Sequence, residues 1–289
     1  MGIEINNLTV EYKNGVKALD GISLSVDNGM FGLLGENGAG KTTLMRVLTT
    51  LLTKSSGEVF VNGVELIPKN YREIQNMIGY LPQELNMYPQ LKVDETLEYL
   101  GQLSGIKKNE IKEKIEYYLG QTNLWEHRKK RIGQLSGGMK RRVGLVQAMI
   151  TDPSILIVDE PTTGLDPEER IRIRNLLTMY AREHTVLFST HVIEDISSTC
   201  NKLAIMRKGN ILYQGNVSDA IVSAKGHLKT VYVHDENAIM EYEKQYSICT
   251  KQYGEKGIEL KIMDTEHVIS GTDNQVLTLE DAYIYLMNR

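Results

Sequence analysis

Apolar and polar residues alternate in some parts of this chain and separate into unbroken runs in others. Segment 22–26 alternates strictly, which is typical of a strand with one buried face. Segments 30–34, 155–158 and 185–189 are short apolar runs, the pattern of strands buried on both faces of a parallel sheet. The Asn62-Gly63 pair between two apolar runs favours a tight hairpin. The pattern therefore predicts a parallel α/β core with a small antiparallel sheet beside it.

The region from about residue 84 to 150 has a different pattern, rich in helix-forming residues and without runs typical of strands. Val93, Leu97, Leu100 and Leu103 recur at helical spacing within it. We therefore expect this region to be a helical insertion in the α/β core.

The chain changes character again after Gly215. Alternation over 231–233 and 258–262 predicts short strands, and Thr278 and Asp281 are spaced as a capping box at the start of a last helix. We therefore expect an α/β protein with two domains. Residues 1–215 form the larger domain, and residues 216–289 form a small α+β appendage.

Composition and charge exclude several classes of function. The 289 residues are 41% hydrophobic and 24% charged, which is ordinary for a globular protein. A net charge of −4 does not favour nucleic-acid binding, so no nucleic-acid partner is expected. No apolar stretch approaches the ~20 residues needed to span a bilayer. Two cysteines do not make a disulfide framework, and the histidines lack the spacing of zinc ligands.

The clearest chemical motif is the segment Gly35–Thr42, here called the phosphate loop. It matches Gly-x-x-x-x-Gly-Lys-Thr and lies between a buried strand and a helix, which is the context that the motif requires. Its glycines let backbone N–H groups surround a phosphate at a helix N-terminus. Lys41 would bridge the β- and γ-phosphates, and the Thr42 hydroxyl would ligate Mg²⁺.

A second motif is a pair of carboxylates, Asp159 and Glu160, at the end of the apolar run 155–158. Asp159 would hold Mg²⁺ through water, and Glu160 would lie where a water molecule can attack the γ-phosphate. An apolar strand that ends in acidic residues often marks only a loop. Together with the phosphate loop, however, the pair indicates nucleotide hydrolysis.

The third motif, Leu135–Met139, is here called the signature segment. Ser136 is a good helix N-cap, and Gly137 and Gly138 expose backbone N–H groups at that helix start. This segment predicts a second anion site.

In order and type, these motifs resemble those of the nucleotide-binding subunits of ABC transporters, over residues 1 to about 215. The signature segment is similar to that of the family, with Met139 in place of the commonest Gln. The resemblance implies an ATPase that uses ATP and Mg²⁺ and has a P-loop NTPase fold.

The resemblance also implies roles for individual residues. Tyr12 would stack on adenine, Gln83 would sense Mg²⁺ and link to the membrane subunit, and His191 would contact the γ-phosphate. Glu160, His191 and Lys41 are the expected catalytic residues, and Thr42, Gln83 and Asp159 the expected metal-binding residues. The expected nucleotide-binding residues are Tyr12, Gly35, Glu36, Asn37, Gly38, Ala39, Gly40, Lys41, Thr42, Thr43, Gln83, Ser136, Gly137, Gly138 and Asp166, the last in a dimer-contact loop, Gly164–Asp166.

The expected assembly is a dimer, either a homodimer or a pair with a second nucleotide-binding subunit. Each γ-phosphate would lie between the phosphate loop of one subunit and Ser136 and Gly138 of the other. Because the chain has no membrane helix of its own, an integral membrane permease must be a separate chain. We therefore expect a peripheral location at the cytoplasmic face of the cell membrane.

The branch of the family is a narrower question. Segments 88–95 and 279–283 and the short helical insertion resemble subunits that export drugs or antibiotic peptides. An importer subunit is the alternative, as is a soluble ABC-type ATPase that acts on a ribosome or DNA. A P-loop kinase or GTPase would have no use for the signature segment.

Overall fold

The computed structural model describes residues 2–254, 257–264 and 276–288. The chain forms two compact units, Met1–Gln214 and Gly215–Arg289. Strands of two separate sheets, joined by helices, build the first unit.

In the first unit, strands and helices are interspersed along the chain. The strands are β1 (Ile3–Glu11), β2 (Lys17–Val26), β3 (Gly29–Gly35), β4 (Ser56–Val61), β5 (Val64–Glu65), β6 (Ile78–Leu81), β7 (Ile155–Asp159), β8 (Thr185–Thr190), β9 (Lys202–Arg207) and β10 (Asn210–Asn216). The helices are α1 (Lys41–Leu48), α2 (Tyr71–Met77), α3 (Val93–Leu103), α4 (Lys108–Gln121), α5 (Gly137–Met149), α6 (Pro167–Tyr180) and α7 (Ile193–Thr199).

The smaller sheet of the first unit is antiparallel, with the strand order β2-β1-β4-β5. The predicted hairpin joins β4 to β5, and both turn residues have positive φ, +49° at Asn62 and +82° at Gly63. The inner face of this sheet shares one apolar cluster with Phe31 and Leu33 of β3 and with Leu44 of α1. The shared cluster fixes the small sheet beside the start of α1.

The larger sheet has the order β10-β9-β3-β8-β7-β6, and β9, β3, β8, β7 and β6 run parallel. Its neighbouring strands β3, β8 and β7 are the unbroken apolar runs of the sequence, now buried on both faces. Parallel strands end at the same edge of a sheet. The phosphate loop after β3, Gln83 after β6, Glu160 after β7 and His191 after β8 therefore all follow strand ends at one edge.

Helices α3, α4 and α5 lie in the region expected to be a helical insertion. Val93 and Leu97 are buried as expected, but Leu103 is 67% exposed. The buried row continues instead at Gly101, where an added Cβ would lie 3.0 Å from the Ile111 side chain of α4. Residues 93, 97 and 101 are four apart and share one helix face, from which residue 103 is rotated. Within the described ranges, no helix is long and apolar enough to cross a bilayer.

The second unit contains α8 (Val217–Ser223), β11 (Leu228–Val233), α9 (Glu236–Gln245), β12 (Ile248–Gly254), β13 (Gly257–Met263) and α10 (Leu279–Asn288). Its strands form an antiparallel sheet in the order β11-β13-β12. The expected capping box is present: the Thr278 N–H donates to Asp281 Oδ2 (2.8 Å), and the Asp281 N–H donates to Thr278 Oγ1 (3.2 Å). The predicted fold class, an α/β core with a P-loop and a small α+β appendage, is confirmed.

Candidate functional site

The phosphate loop joins β3 to α1 with a backbone that glycine makes possible. Gly38 and Gly40 have φ values of +85° and +107°. An added Cβ at Gly40 would also lie 2.7 Å from the Ala18 carbonyl oxygen. The first N–H groups of α1 have no acceptor within the helix and lie next to the loop. The loop therefore presents backbone donors and a helix N-terminus to an anion.

Lys41, at the start of α1, is only 5% exposed. Its Nζ donates to the carbonyl oxygens of Gly35 (2.5 Å) and Glu36 (3.2 Å). It also lies 3.2 Å from Glu160 Oε1 as an ion pair. A buried ammonium group thus connects the two sequence motifs that were predicted to act together.

Glu160 is the centre of a small polar cluster. Its Oε2 lies 2.7 Å from His191 Nδ1 and accepts a hydrogen bond from Thr163 Oγ1 (2.8 Å). The backbone of Glu160 has a φ of +49°, in the left-handed region that non-glycine residues rarely adopt. Such conformations persist where surrounding contacts enforce them, and they are common at functional sites.

Asp159 is completely buried, and its two carboxylate oxygens have different surroundings. Ser189 Oγ donates to Oδ1 at 2.5 Å, whereas Oδ2 is buried with no hydrogen-bond partner among the described residues. The described ranges contain no cluster of three or more His, Cys, Asp or Glu that could bind a metal. Mg²⁺ in nucleotide sites usually draws on one or two carboxylates, water and substrate phosphates. Asp159, with its unpartnered oxygen, and the Thr42 hydroxyl at the cleft are ligand types that suit such a site.

A cleft of about 560 Å³ is lined by Lys41, Thr42 and Glu160 among others, a volume within the usual range for ligand pockets. The Tyr12 hydroxyl is 3.2 Å from Thr43 Oγ1 at its rim. Of the predicted site residues, those that line the cleft are Tyr12, Glu36, Asn37, Gly38, Ala39, Gly40, Lys41, Thr42, Thr43, Gln83 and Glu160.

Several neighbours of the site were not predicted from the sequence. Ala18, Lys208 and Gly209 also line the cleft, and the Gly209 N–H donates to the Ala39 carbonyl at 2.9 Å. Lys208 and Gly209 belong to none of the sequence motifs, so no local signal identified them. Ser189, which binds Asp159, carried no motif that could have identified it.

The structure does not bring the remaining predicted nucleotide contacts into this cleft. Gly35, Ser136, Gly137, Gly138 and Asp166 are absent from its lining. Asp159 and His191 do not line it either; they bind Ser189 and Glu160 respectively. Ser136 caps α5, with its Oγ accepting from the Met139 N–H (3.2 Å), and Asp166 caps α6, with its Oδ1 accepting from the Glu169 N–H (2.9 Å). Ser136 and Asp166 therefore each cap the start of a helix and do not line the cleft.

Comparison with known proteins identifies the family. The profile described as ABC transporter matches residues 19–163. The ABC transporter ATP-binding protein NatA of Bacillus subtilis is 36% identical over 208 residues, which are 71% of this chain and 84% of that protein. This chain belongs to the ABC transporter family of ATP-binding subunits.

Two further comparisons, one with a sequence relative and one with a solved structure, extend this result. The methionine import ATP-binding protein MetN 2 of Bacillus cereus is 35% identical over 232 residues, 77% of this chain and 68% of that protein. A bacterial ABC transporter cassette, solved as a dimer, has a TM-score of 0.68 at 24% identity and covers 74% of this chain and 98% of its own. The ABC relatives thus include an importer, and the structural likeness confirms the fold.

The two glycines of the signature segment of this ABC subunit differ in their surroundings. An added Cβ at Gly138 would lie 2.9 Å from Cγ and Oε2 of Glu169, whereas one at Gly137 would meet nothing within 4 Å. We expect Gly138→Ala to destabilise the fold by about 1–3 kcal/mol through overpacking. Gly137→Ala should be neutral or slightly stabilising, because alanine favours a helix start that has room for it. Urea unfolding of both variants measures the difference, and equal stabilities would contradict it.

Proposed function

We propose that this ABC subunit hydrolyses ATP at the cleft and powers a separate membrane permease. The observation that carries the proposal is the contact of Lys41 with Glu160, with His191 on the other carboxylate oxygen of Glu160. A cation for phosphate and a carboxylate base therefore line one cleft, and a histidine contacts that base from outside the lining, an arrangement suited to γ-phosphate hydrolysis.

The contacts of Lys41 support a role in sensing the γ-phosphate. Its ammonium group is shared between two carbonyl oxygens and the Glu160 carboxylate. A bound γ-phosphate offers a more highly charged partner for Lys41. As Lys41 turns to the phosphate, Glu160 Oε1 is released and can accept a proton from an attacking water molecule. His191 keeps the carboxylate oriented through Oε2.

We assign Mg²⁺ to Asp159 and Thr42, with Gln83 at the edge of the cleft. The unpartnered Oδ2 of Asp159 supports this assignment, because a buried carboxylate oxygen without a donor favours a cation or a water molecule bound to one. When bound, Mg²⁺ neutralises charge on the β- and γ-phosphates. Ser189 fixes Asp159 by donating to its other oxygen.

We propose that the signature segment completes the site of a partner subunit. Ser136 and Gly137 are exposed at the start of α5 and do not line the cleft of their own chain. Backbone N–H groups at such an exposed helix start suit a phosphate that another subunit binds, as in a homodimer or a pair of related subunits. The solved cassette that is similar to this chain is a dimer, which supports the proposal.

Transport needs a membrane partner, and we propose peripheral attachment at the cytoplasmic face of the membrane through that permease. We propose export as the direction, on the basis of segments 88–95 and 279–283; import is the alternative, since MetN 2 is an import protein. None of the proposed site residues lies beyond residue 215. We therefore propose an accessory role for 216–289, in docking or in tuning dimerisation.

Phosphate release by the purified full chain tests the proposed activity. We expect hydrolysis of ATP with Mg²⁺, loss of hydrolysis with EDTA, and loss in Lys41→Ala. Co-expression with a candidate membrane permease, followed by ATP-dependent transport into inside-out vesicles, tests the coupling. Accumulation inside such vesicles would support export. An absence of Mg²⁺-dependent hydrolysis in folded wild-type protein would contradict the proposal.

A further inference from the structure

Arg141, in the second turn of α5, makes an unusual set of contacts. It is 7% exposed. Its Nε donates to the Pro161 carbonyl (3.2 Å), its Nη1 to those of Pro82 (2.8 Å) and Gln83 (2.7 Å), and its Nη2 to those of Asp159 (2.5 Å) and Glu160 (2.9 Å). A guanidinium group has five N–H bonds, and here five carbonyl oxygens surround it.

The acceptors come from two chain segments that are far apart in sequence. One is the segment that follows β6 and includes Gln83; the other is the end of β7 and the residues after it, including Glu160. Because all five acceptors are backbone atoms, Arg141 fixes the course of the main chain on both segments. Burial lowers the pKa of Arg141 to about 10, and the charges of Asp159 and Glu160 offset part of that effect. The group therefore stays protonated at neutral pH.

The contact with Glu160 bears on its strained backbone. The Glu160 carbonyl accepts from Arg141, and its N–H lies 3.2 Å from the Ser189 carbonyl oxygen and 3.1 Å from Ser189 Oγ. Both peptide groups that flank the left-handed φ are thus fixed by hydrogen bonds. Left-handed backbone costs a non-glycine residue about 1–3 kcal/mol and persists only where neighbours enforce it.

Arg142, the next residue, provides a contrast on the same helix. It is equally buried, but it donates to the Thr122 carbonyl and binds the Glu169 carboxylate. Charge and burial alone therefore do not explain the contacts of Arg141. They result from its direction on α5, towards the ends of β6 and β7.

We propose that Arg141 is a positioning residue for ATP hydrolysis, which couples α5 to the backbone of Glu160 and Gln83. Helix α5 begins with the signature segment. A displacement of Ser136 or Gly137 that moves α5 would therefore shift the backbone of Glu160 and Gln83 through the Arg141 side chain. The inference rests on the proposed ATPase function. Arg141 should affect the geometry of catalysis and not the affinity for nucleotide. Among the described residues, its side-chain hydrogen bonds include none to the phosphate loop.

The test compares Arg141→Met and Arg141→Lys with wild type in the full chain. Methionine fills similar volume without donors, and lysine keeps the charge but offers at most three N–H bonds. We expect kcat to fall about 10²-fold in Arg141→Met, the effect of a misplaced catalytic group, with the Kd for ATP within threefold of wild type. Arg141→Lys should have an intermediate kcat. Should the methionine variant fail to fold, the lysine variant carries the test.

Arg174→Met is the matched control, because Arg174 is largely buried in ion pairs with Asp195 and Glu194 on α7. It should lower Tm and leave kcat per folded molecule within threefold of wild type. A kcat within threefold of wild type in a folded Arg141 variant would overturn the positioning role, as would a loss of affinity equal to the loss of kcat. If instead wild type does not hydrolyse ATP, or Glu160→Gln hydrolyses it normally, the proposed function itself fails.

Discussion

Glu160→Gln should slow ATP hydrolysis by about 10²- to 10⁴-fold, the usual contribution of a general base. The amide keeps the shape of the side chain and can still accept from Thr163, but it cannot take a proton from water. It also removes the negative charge beside Lys41, which frees the ammonium group for the γ-phosphate. ATP binding should therefore be retained or strengthened, and an ATP-bound dimer should accumulate. Single-turnover hydrolysis and size-exclusion chromatography with ATP measure the two effects.

Glu113→Gln serves as the control for the same chemical change, because Glu113 is exposed on α4. Its turnover should equal that of wild type. Near-normal turnover in Glu160→Gln would exclude Glu160 as the base. A loss of ATP affinity as large as the loss of turnover would show that its main role is in binding.

Mixing two inactive variants, Lys41→Ala and Gly137→Asp, should restore part of the ATPase activity. Lys41→Ala removes the cation expected to bind phosphate and leaves Glu160 without its lysine ion pair. Gly137→Asp puts a carboxylate at the exposed start of α5, where nothing lies within 4 Å of the new Cβ. An acidic residue at a helix N-terminus stabilises the helix by about 0.3–1 kcal/mol, so the variant should fold. The carboxylate should nevertheless repel the phosphate of a partner subunit.

In a mixed dimer one composite site carries both substitutions and the other carries neither. With random pairing, about a quarter of all composite sites are intact. Loss of a preorganised donor can cost about 3–4 kcal/mol of transition-state stabilisation, so each variant alone should be nearly inactive. Normal hydrolysis by Gly137→Asp alone would contradict the shared site. So would an inactive mixture in which native mass spectrometry finds mixed dimers, provided that dimers with one wild-type subunit are active.

Gly137 is a better position for this test than Gly138. The signature segment alone treats the two glycines alike, but Gly138 lies against Glu169, which is ion-paired with Arg142. A carboxylate at Gly138 would therefore disturb packing and charge within its own subunit. Inactivity of such a variant would say little about the partner.

The parts of the site that the sequence predicts are those in which neighbours along the chain act together. The phosphate loop is a contiguous motif, and its strand and helix context is visible in the hydrophobic pattern. Asp159 and Glu160 likewise follow directly from the end of an apolar run. The roles of these residues remain predictions, but their placement at one edge of the parallel sheet follows from the order of motifs and strands.

Other contacts depend on sheet register and on backbone atoms. Ser189 reaches Asp159 because the two are register partners in β8 and β7, a pairing that no local pattern encodes. Arg141 is harder still to interpret from sequence, because its acceptors are carbonyl oxygens, which every residue type supplies. The burial of Gly101 in place of Leu103 depends on how α3 meets α4.

The strand order of the larger sheet determines how much of the chain must be synthesised before the strand that precedes the phosphate loop has both of its neighbours. Strand β3 lies between β8 and β9, and these two neighbours are made long after it. A nascent chain that ends before residue 185 contains the whole loop but neither flanking strand. Parallel strands so far apart in sequence pair slowly, because the chain loses loop-closure entropy before the contacts between the strands stabilise it. We therefore expect ATP to stabilise the finished sheet and not to assist the early steps of its folding.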